Sequence, residues 1–322
     1  MMEGCRIHTR LVIIISHYKN YRETIACVNS ALQQRGEGYE IIVVDNGSND
    51  GSGKILKKYF GNEPHVTLKK LKKNIGFARA NNAGIRYARA RFGAENCFIC
   101  NSDVVFGPGL FEELLAAEGK GIGLISPAVF DAGHQPQTPS VNTDSPYRSV
   151  AFAWLNVLYQ SLPYNLAAKI HNIRLIMKLL HPLKLLRKRL EGWQLYRRQA
   201  ARAAGKTSEN LAPAASGSKN GCSYRIHGCA FLLTPEFFRY YEQLYPKTYL
   251  YGEEINLSVY LKKAGLRAVI ADTSPLIHKG KQSTKELYRE DGRKKRLRIV
   301  RQSLLHSLPL LFLNARTIRK LF

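Results

Sequence analysis

The amino-acid sequence predicts an α/β fold with a mostly parallel central sheet flanked by helices, and three observations carry that prediction. Apolar runs at Leu11 to Ile15 and Ile41 to Val44 stop abruptly at polar residues, as strands buried on both faces of a parallel sheet do. Between them, Ile25, Val28, Ala31 and Leu32 recur at helical spacing within residues 21–35, so the segment reads strand, helix, strand. A further run, Cys97 to Cys100, ends in Asn101-Ser102-Asp103 before Val104-Val105-Phe106 resumes. That places an acid at a strand's carboxyl end, the edge where open α/β sheets bind ligands.

Length and composition bound the rest. With 322 residues, 45% of them apolar, the chain buries a large core and is not globally disordered. Lys and Arg number 49 against 24 Asp and Glu, a formal charge of +25, which favours anionic partners: phosphates, nucleic acid or acidic lipid headgroups. Cys5, Cys27, Cys97, Cys100, Cys222 and Cys229 form no dense framework, so they read as reduced thiols of a cytoplasmic protein. Cys97 and Cys100, three apart on a strand, face opposite sides and do not chelate a metal together. No signal peptide is visible, and no run reaches the ~18 to 20 apolar residues of a membrane span.

The second strand, Glu40 to Val44, closes on Asp45-Asn46-Gly47-Ser48-Asn49-Asp50-Gly51-Ser52. This is either a glycine-rich turn or a loop presenting amides and an acid to a ligand. Val66 to Leu71 is a weaker strand, and a helix begins near Asn74. Lys69, Lys70, Lys72, Lys73, Arg79, Arg86, Arg89 and Arg91 lie between Glu63 and Glu95 without an intervening acid; they form a solvated basic face from which Arg79 is the candidate phosphate contact. Asp103 is a candidate ligand for a divalent cation, with a polar turn as the alternative. Ile122 to Pro127 gives another strand.

Residues 131–149 read as a loop. From Lys169 to Lys206 there are eleven Lys or Arg and the single acid Glu191, in a pattern suited to a basic amphipathic helix that lies on an anionic membrane or packs on the domain. Leu211 to Gly221 is a flexible connector. The alternation then resumes: a small-residue strand within Ile226–Phe238, a helix led by Glu253-Glu254 and stopped at Gly265, a strand from Leu266 to Ala271, and Ser274-Pro275-Leu276-Ile277-His278-Lys279-Gly280. Acids at a helix start are favourable dipole partners in their own right, and a lone His after an apolar pair is commonly structural. The tail from Arg293 to Phe322 has nine Lys or Arg and no acid, a second candidate membrane-facing element.

The order of the Asp45–Ser52 loop, Asn74-Ile75-Gly76-Phe77 with Asn82-Ala83-Gly84, and Asn101-Ser102-Asp103 resembles the family 2 glycosyltransferases of GT-A fold, with the bacterial rhamnosyltransferase-like branch nearest. The stretches around Gly228, Glu253-Glu254 and His278 resemble the later motifs of the same family. The resemblance implies the nucleotide-sugar-binding half of a GT-A domain at 1–130, a loop and basic helical insertion at 131–220, an acceptor-binding half at 221–285, and a basic amphipathic tail at 286–322. It implies an inverting, metal-dependent transfer of a sugar from a UDP- or dTDP-linked donor to a hydroxyl of a lipid-linked or cell-surface polysaccharide, on the inner face of the membrane.

By the same resemblance Ser16, Asp45, Asn74, Gly76, Arg79, Asn82 and Ser102 bind the donor. Asp103 and His278 hold Mg²⁺ or Mn²⁺, Glu254 is the catalytic base, and Glu253 and Gly228 belong to the acceptor region. The chain departs from the pattern at Asn101, where the metal motif often begins with Asp, at Glu254, where Asp is usual, and at Asn256, which replaces a frequent acid. A noncatalytic glycan or lipid binder of the same fold is the alternative. A nucleic-acid-binding protein is disfavoured, because the bases are not interleaved with an aromatic stacking motif or a zinc module.

Overall fold

A computed structural model describes residues 9–34, 38–137, 140–142, 153–155, 224–280 and 292–320; the basic stretch 169–206 and the connector 211–221 lie outside them. In chain order the strands are β1 (Leu11–His17), β2 (Tyr39–Asp45), β3 (Val66–Lys70), β4 (Asn96–Asn101), β5 (Val104–Phe106), β6 (Ile122–Ser126), β7 (Val129–Asp131), β8 (Ser140–Asn142), β9 (Tyr224–Arg225), β10 (Ala230–Leu233), β11 (Arg267–Ile270) and β12 (Leu276–His278). The helices are α1 (Tyr21–Leu32), α2 (Ser52–Phe60), α3 (Phe77–Phe92), α4 (Leu110–Ala116), α5 (Pro235–Tyr240), α6 (Glu253–Ala264), α7 (Gly292–Phe312) and α8 (Ala315–Lys320).

Seven strands form the central sheet in the order β11-β6-β10-β4-β1-β2-β3. All neighbours pair parallel except β10, which runs antiparallel to both β4 and β6. This is the mostly parallel α/β sheet that the apolar runs predict. Strands from before and after the long insertion share it, because β10 and β11 return to pair with β4 and β6. The runs are continuous because both faces are covered: Val12 and Ile14 enter one core while Leu11, Ile13 and Ile15 enter the other. Cys97 and Cys100 divide the same way, one to each face. Each such fully buried aliphatic side chain contributes about 1.5–3 kcal/mol relative to exposure.

Register sets where the polar residues fall. His17 pairs with Asp45 across β1 and β2, and Ser16 pairs with Asn101 across β1 and β4, so three strand ends are level at one edge. After Asn101 the chain turns through Ser102 and Asp103 and leaves the sheet as β5, which joins a second sheet of order β5-β12-β7. Both sequence readings of Asn-Ser-Asp therefore hold: it is a turn between two strands, and it sits at the carboxyl end of a parallel strand.

Two boundaries differ from the sequence expectation. The helix expected from Asn74 starts at Phe77, because Gly76 takes φ +88° and Phe77 N–H is drawn to Tyr249 O at 2.8 Å. The stretch read as a loop contains β8, which pairs with β9. The tail is helical: Ile299, Leu304, Leu310 and Ile318 are buried against the domain while Leu305 and Phe312 stay exposed, and Ser303 Oγ donates to Leu250 O at 2.8 Å. Among the described residues no helix is long and apolar enough to cross a membrane.

Helix α3 lies against the sheet through Gly84. A Cβ there would meet Ile14 Cγ2 at 2.5 Å and Val44 Cγ2 at 3.2 Å. Gly84→Val is therefore expected to lower unfolding stability by about 1–3 kcal/mol through overpacking, read from the urea midpoint. An unchanged midpoint contradicts the close approach of α3 to β1.

Candidate active site

The level strand ends carry a network of short polar side chains. Asp45, at the last position of β2, is buried; its Oδ1 accepts from Ser48 N–H at 2.8 Å, while Oδ2 makes no hydrogen bond. The loop beyond it is pressed against the chain before α3, since a Cβ on Gly47 would lie 2.2 Å from the Lys73 carbonyl carbon. Asn46 ties the two together: its Oδ1 accepts from Ile75 N–H at 2.9 Å and its Nδ2 donates to Asn74 Oδ1 at 3.2 Å. Asn74 Oδ1 also accepts from Gly76 N–H at 3.0 Å. A Cβ on Gly76 would lie 2.3 Å from Tyr249 O, so only glycine fits this contact.

Ser16, Asn46, Asn74, Gly76, Asn101 and Tyr249 line one cavity of about 150 Å³ at this edge. Of the residues assigned to a donor, Ser16, Asn74 and Gly76 thus share a cavity. Ser16 Oγ donates to Asn81 Oδ1 at 2.8 Å. His17, which no sequence signal had singled out, is wholly buried between Thr24 Oγ1 at 2.7 Å and Ser52 Oγ at 3.0 Å. Burial pushes its pKa down against the opposing charges of Asp45 and Asp50.

Two assigned residues point elsewhere. Asn82 is buried and clasps Leu244, donating to its carbonyl and accepting from its N–H, both at 2.8 Å. Arg79 Nε donates to Pro246 O at 2.7 Å and lines a separate cavity of about 230 Å³ with Lys247 and His306. Arg86 reaches Gln243 Oε1 at 2.7 Å. Spaced three and four apart, Arg79, Asn82 and Arg86 form one stripe of α3, and that stripe holds the 243–246 segment. Ser102 is buried with its Oγ unpaired.

Asp103 sits where β5 departs, 5% exposed, with Oδ1 making no hydrogen bond. The antiparallel register pairs His278 with Val104, and Lys279 N–H donates to Asp103 O at 2.9 Å. This brings His278 Nε2 to 3.5 Å from Asp103 Oδ1. The other imidazole nitrogen, Nδ1, lies 3.1 Å from Gln137 Oε1. The His227 ring stands edge-on to His278 with centroids 5.2 Å apart, and one donor atom each of His227, Cys229 and His278 falls within 4.8 Å of the others. Burial pushes the Cys229 thiol well up, and the charges of Asp103 and Glu254 add to it. Sequence reasoning singled out neither His227 nor Cys229; the available signal was their i, i+2 spacing around a glycine.

Glu253 and Glu254 open α6 behind Gly252 at φ +92°, and Tyr251 before it takes φ +72°, a conformation non-glycine residues rarely adopt. Glu254 rests on the bare Cα of Gly228, where a Cβ would meet its Oε1 at 2.2 Å. Glu254, Gly228, His227 and Tyr251 line a cavity of about 330 Å³ whose apolar side is Val300 and Leu304 of α7. Glu253 is buried instead, its Oε1 unpaired; burial pushes its carboxyl up to about 8, with the charge of Glu254 adding. The two neighbours thus divide: Glu253 keeps its proton at neutral pH, while Glu254 faces open space.

Residues 12–165, just under half of the chain, match the family model described as glycosyl transferase family 2. The uncharacterized glycosyltransferase YibD of Escherichia coli K12 is 34% identical over 106 residues, 33% of this chain and 29% of that protein. A chondroitin synthase of Pasteurella multocida Pm70 is 35% identical over 66 residues, 20% of this chain and 7% of that protein. The chain therefore spans less than a third of either relative. A crystal structure of GalNAc-T7 with UDP, GalNAc and Mn²⁺ covers 84% of this chain and 44% of its own, with a TM-score of 0.51 and 12% identity, a likeness of fold. The expected family and GT-A fold are borne out; the match does not single out a rhamnosyltransferase branch.

Because the folded-state value of Glu253 lies above its ordinary 4.5, its contribution to stability is full below that value and is lost as pH rises toward 8. Glu253→Gln is expected to remove that loss. Relative to the parent, the variant gains stability between about pH 5 and pH 9, on the order of 1–3 kcal/mol at the alkaline end. Parallel stability–pH curves for the two proteins contradict the assignment.

Proposed function

We propose, taking the match of residues 12–165 to glycosyl transferase family 2 as the premise, that the protein moves a sugar from a nucleotide-diphosphate donor to an acceptor hydroxyl with inversion at the anomeric carbon. The observation that carries the proposal is the buried, unpaired Oδ1 of Asp103 facing His278 Nε2 at 3.5 Å, at the same edge as a cavity lined by Glu254. A carboxylate and an imidazole nitrogen turned toward each other suit a divalent cation, Mn²⁺ ahead of the oxygen-demanding Mg²⁺, and GalNAc-T7 was solved with Mn²⁺ and UDP. When bound, such an ion supplies Lewis-acid stabilisation of the departing diphosphate.

The chain's own side chains do the rest. Ser16, Asn74 and Gly76 line the donor cavity, and Asp45 fixes the loop beside it through Ser48; its unpaired Oδ2, buried beside Gly53, reaches the nucleoside only once that loop shifts. Such positioning removes translational freedom before the reaction. Arg79 and Asn82 serve this reading by holding the 243–246 segment, which carries the chain to Tyr249 and its contact with Gly76. Glu254 takes the proton from the acceptor hydroxyl as it attacks the face of the sugar opposite the leaving group. Glu253, held neutral, keeps a second negative charge away from that base. The Val300–Leu304 side of the cavity with Tyr251 offers an apolar wall to a sugar ring or a lipid-linked saccharide.

The acceptor is a saccharide of a cell-surface polymer or its lipid-linked precursor, in keeping with the chondroitin synthase likeness. The inner membrane face is the proposed workplace. Arg298, Arg301, Arg316, Arg319 and Lys320 of α7 and α8 stay exposed, as do Leu305 and Phe312, and each base near anionic lipid contributes about 1 kcal/mol.

Turnover of UDP-, dTDP- and GDP-sugars with Mg²⁺ or Mn²⁺ tests the function. Glu254→Gln is expected to lower kcat by about 10²- to 10⁴-fold with donor binding retained, and Asp103→Ala to abolish metal-dependent donor binding. Full turnover in both variants refutes the assignment. Cosedimentation with vesicles containing phosphatidylglycerol is expected at low salt and to be lost at high salt; equal binding to neutral vesicles contradicts the electrostatic reading.

A further inference from the structure

The geometry points to a borderline-soft divalent site, suited to Zn²⁺, formed by His227, Cys229 and His278 with Asp103 as its fourth ligand. The donor atoms of the first three lie within 4.8 Å of one another. A tetrahedral zinc site with Zn–N near 2.0 Å and Zn–S near 2.3 Å spaces its donors about 3.3–3.6 Å apart, so small side-chain rotations close the cluster. Nitrogen, sulfur, nitrogen and carboxylate is a zinc set; Mg²⁺ demands oxygen ligands and octahedral geometry, and has no use for the thiol.

A second observation points the same way. His278 Nδ1 lies 3.1 Å from Gln137 Oε1, which leaves Nε2 turned toward Asp103 Oδ1, 3.5 Å away and itself without a hydrogen bond. A cation between the imidazole and the carboxylate satisfies both. A carbonyl oxygen on the far nitrogen is also the usual outer support of a metal-bound histidine. The local chain favours the arrangement: it turns at Gly228 and Cys229, with Cys229 N–H donating to His227 Nδ1 at 3.3 Å, which puts His227 and Cys229 together while Gly228 between them accommodates Glu254.

The site shares Asp103 and His278 with the proposed donor-metal position, so Zn²⁺ held there excludes the harder ion. Free Zn²⁺ is then a competitive brake on metal-dependent chemistry at this edge. The inference rests on the donor geometry and stands whether or not the chain transfers sugar.

Co²⁺ is the probe, added to the metal-free full-length protein with no nucleotide sugar present. The expected spectrum has strong visible ligand-field bands and a near-ultraviolet thiolate-to-cobalt charge-transfer band, and Zn²⁺ bleaches both. Cys229→Ser is expected to remove the charge-transfer band while Cys97→Ser retains it. His227→Gln lowers the visible intensity, and Gln137→Ala weakens Zn²⁺ binding by about 10- to 100-fold. A weak octahedral spectrum, or a charge-transfer band unchanged in Cys229→Ser, overturns the inference. Should Cys229→Ser fail to fold, His227→Gln decides alone, because an unchanged spectrum there is equally fatal. Sugar transfer is not part of the readout, so its failure would count against the proposed function alone.

Discussion

A buried carboxylate oxygen without a donor costs a fold roughly 1–3 kcal/mol or more, and the region around Asp103 is arranged to keep one. Strand β4 ends level with β1, the chain turns at Ser102, and β5 pairs with β12 so that a histidine, not a hydrogen-bond donor fixed on the carboxylate, stands opposite. The second small sheet brings Gln137, beyond β7, against the same histidine. The rest of this edge is built around that placement: the cavity lined by Ser16, Asn74 and Gly76 lies beside it at the level strand ends, and Glu254 approaches from α6 across Gly228.

Charge is handled differently on the two sides. Beside the ends of β1 and β2, polar groups are tied into short loops by Asn46 and Asn74, and glycines at 47 and 76 allow backbone-to-backbone contact that any side chain would break. At the start of α6, a positive φ at Tyr251 and a protonated Glu253 with one oxygen unpaired are retained next to the open carboxylate of Glu254. Strained backbone and uncompensated polar groups of this kind gather at functional sites and are stabilised from elsewhere, here by helix α7, whose Leu304 and Ser303 pack behind the same stretch.

Much of this was legible in the sequence, for physical reasons. Strands β1, β2 and β4 announce themselves because burial on both faces leaves no polar position in them, and Asp45 and Asp103 stand out because each ends such a run. The direction of β10 was not legible: Ala230 to Leu233 is uniformly apolar, and a four-residue run carries no sign of whether it pairs parallel or antiparallel. Arg79 and Asn82 carry a family motif, yet helical geometry turns them toward residues 243–246, over 150 positions away. His227 and Cys229 meet His278 only through the pairing of β12 with β5 and β7, a contact that no local pattern encodes. The tail's apolar spacing suggested an amphipathic helix, while what covers it is decided by the shape of the domain.

The central claim is that Asp103 and His278 form the metal-holding edge of a donor site. Anomalous diffraction from crystals grown with Mn²⁺ and UDP tests it most directly. The account places the manganese peak between Asp103 Oδ1 and His278 Nε2, with the nucleoside running toward Ser16 and Asp45. A peak elsewhere, or nucleotide density without metal at Asp103, contradicts it.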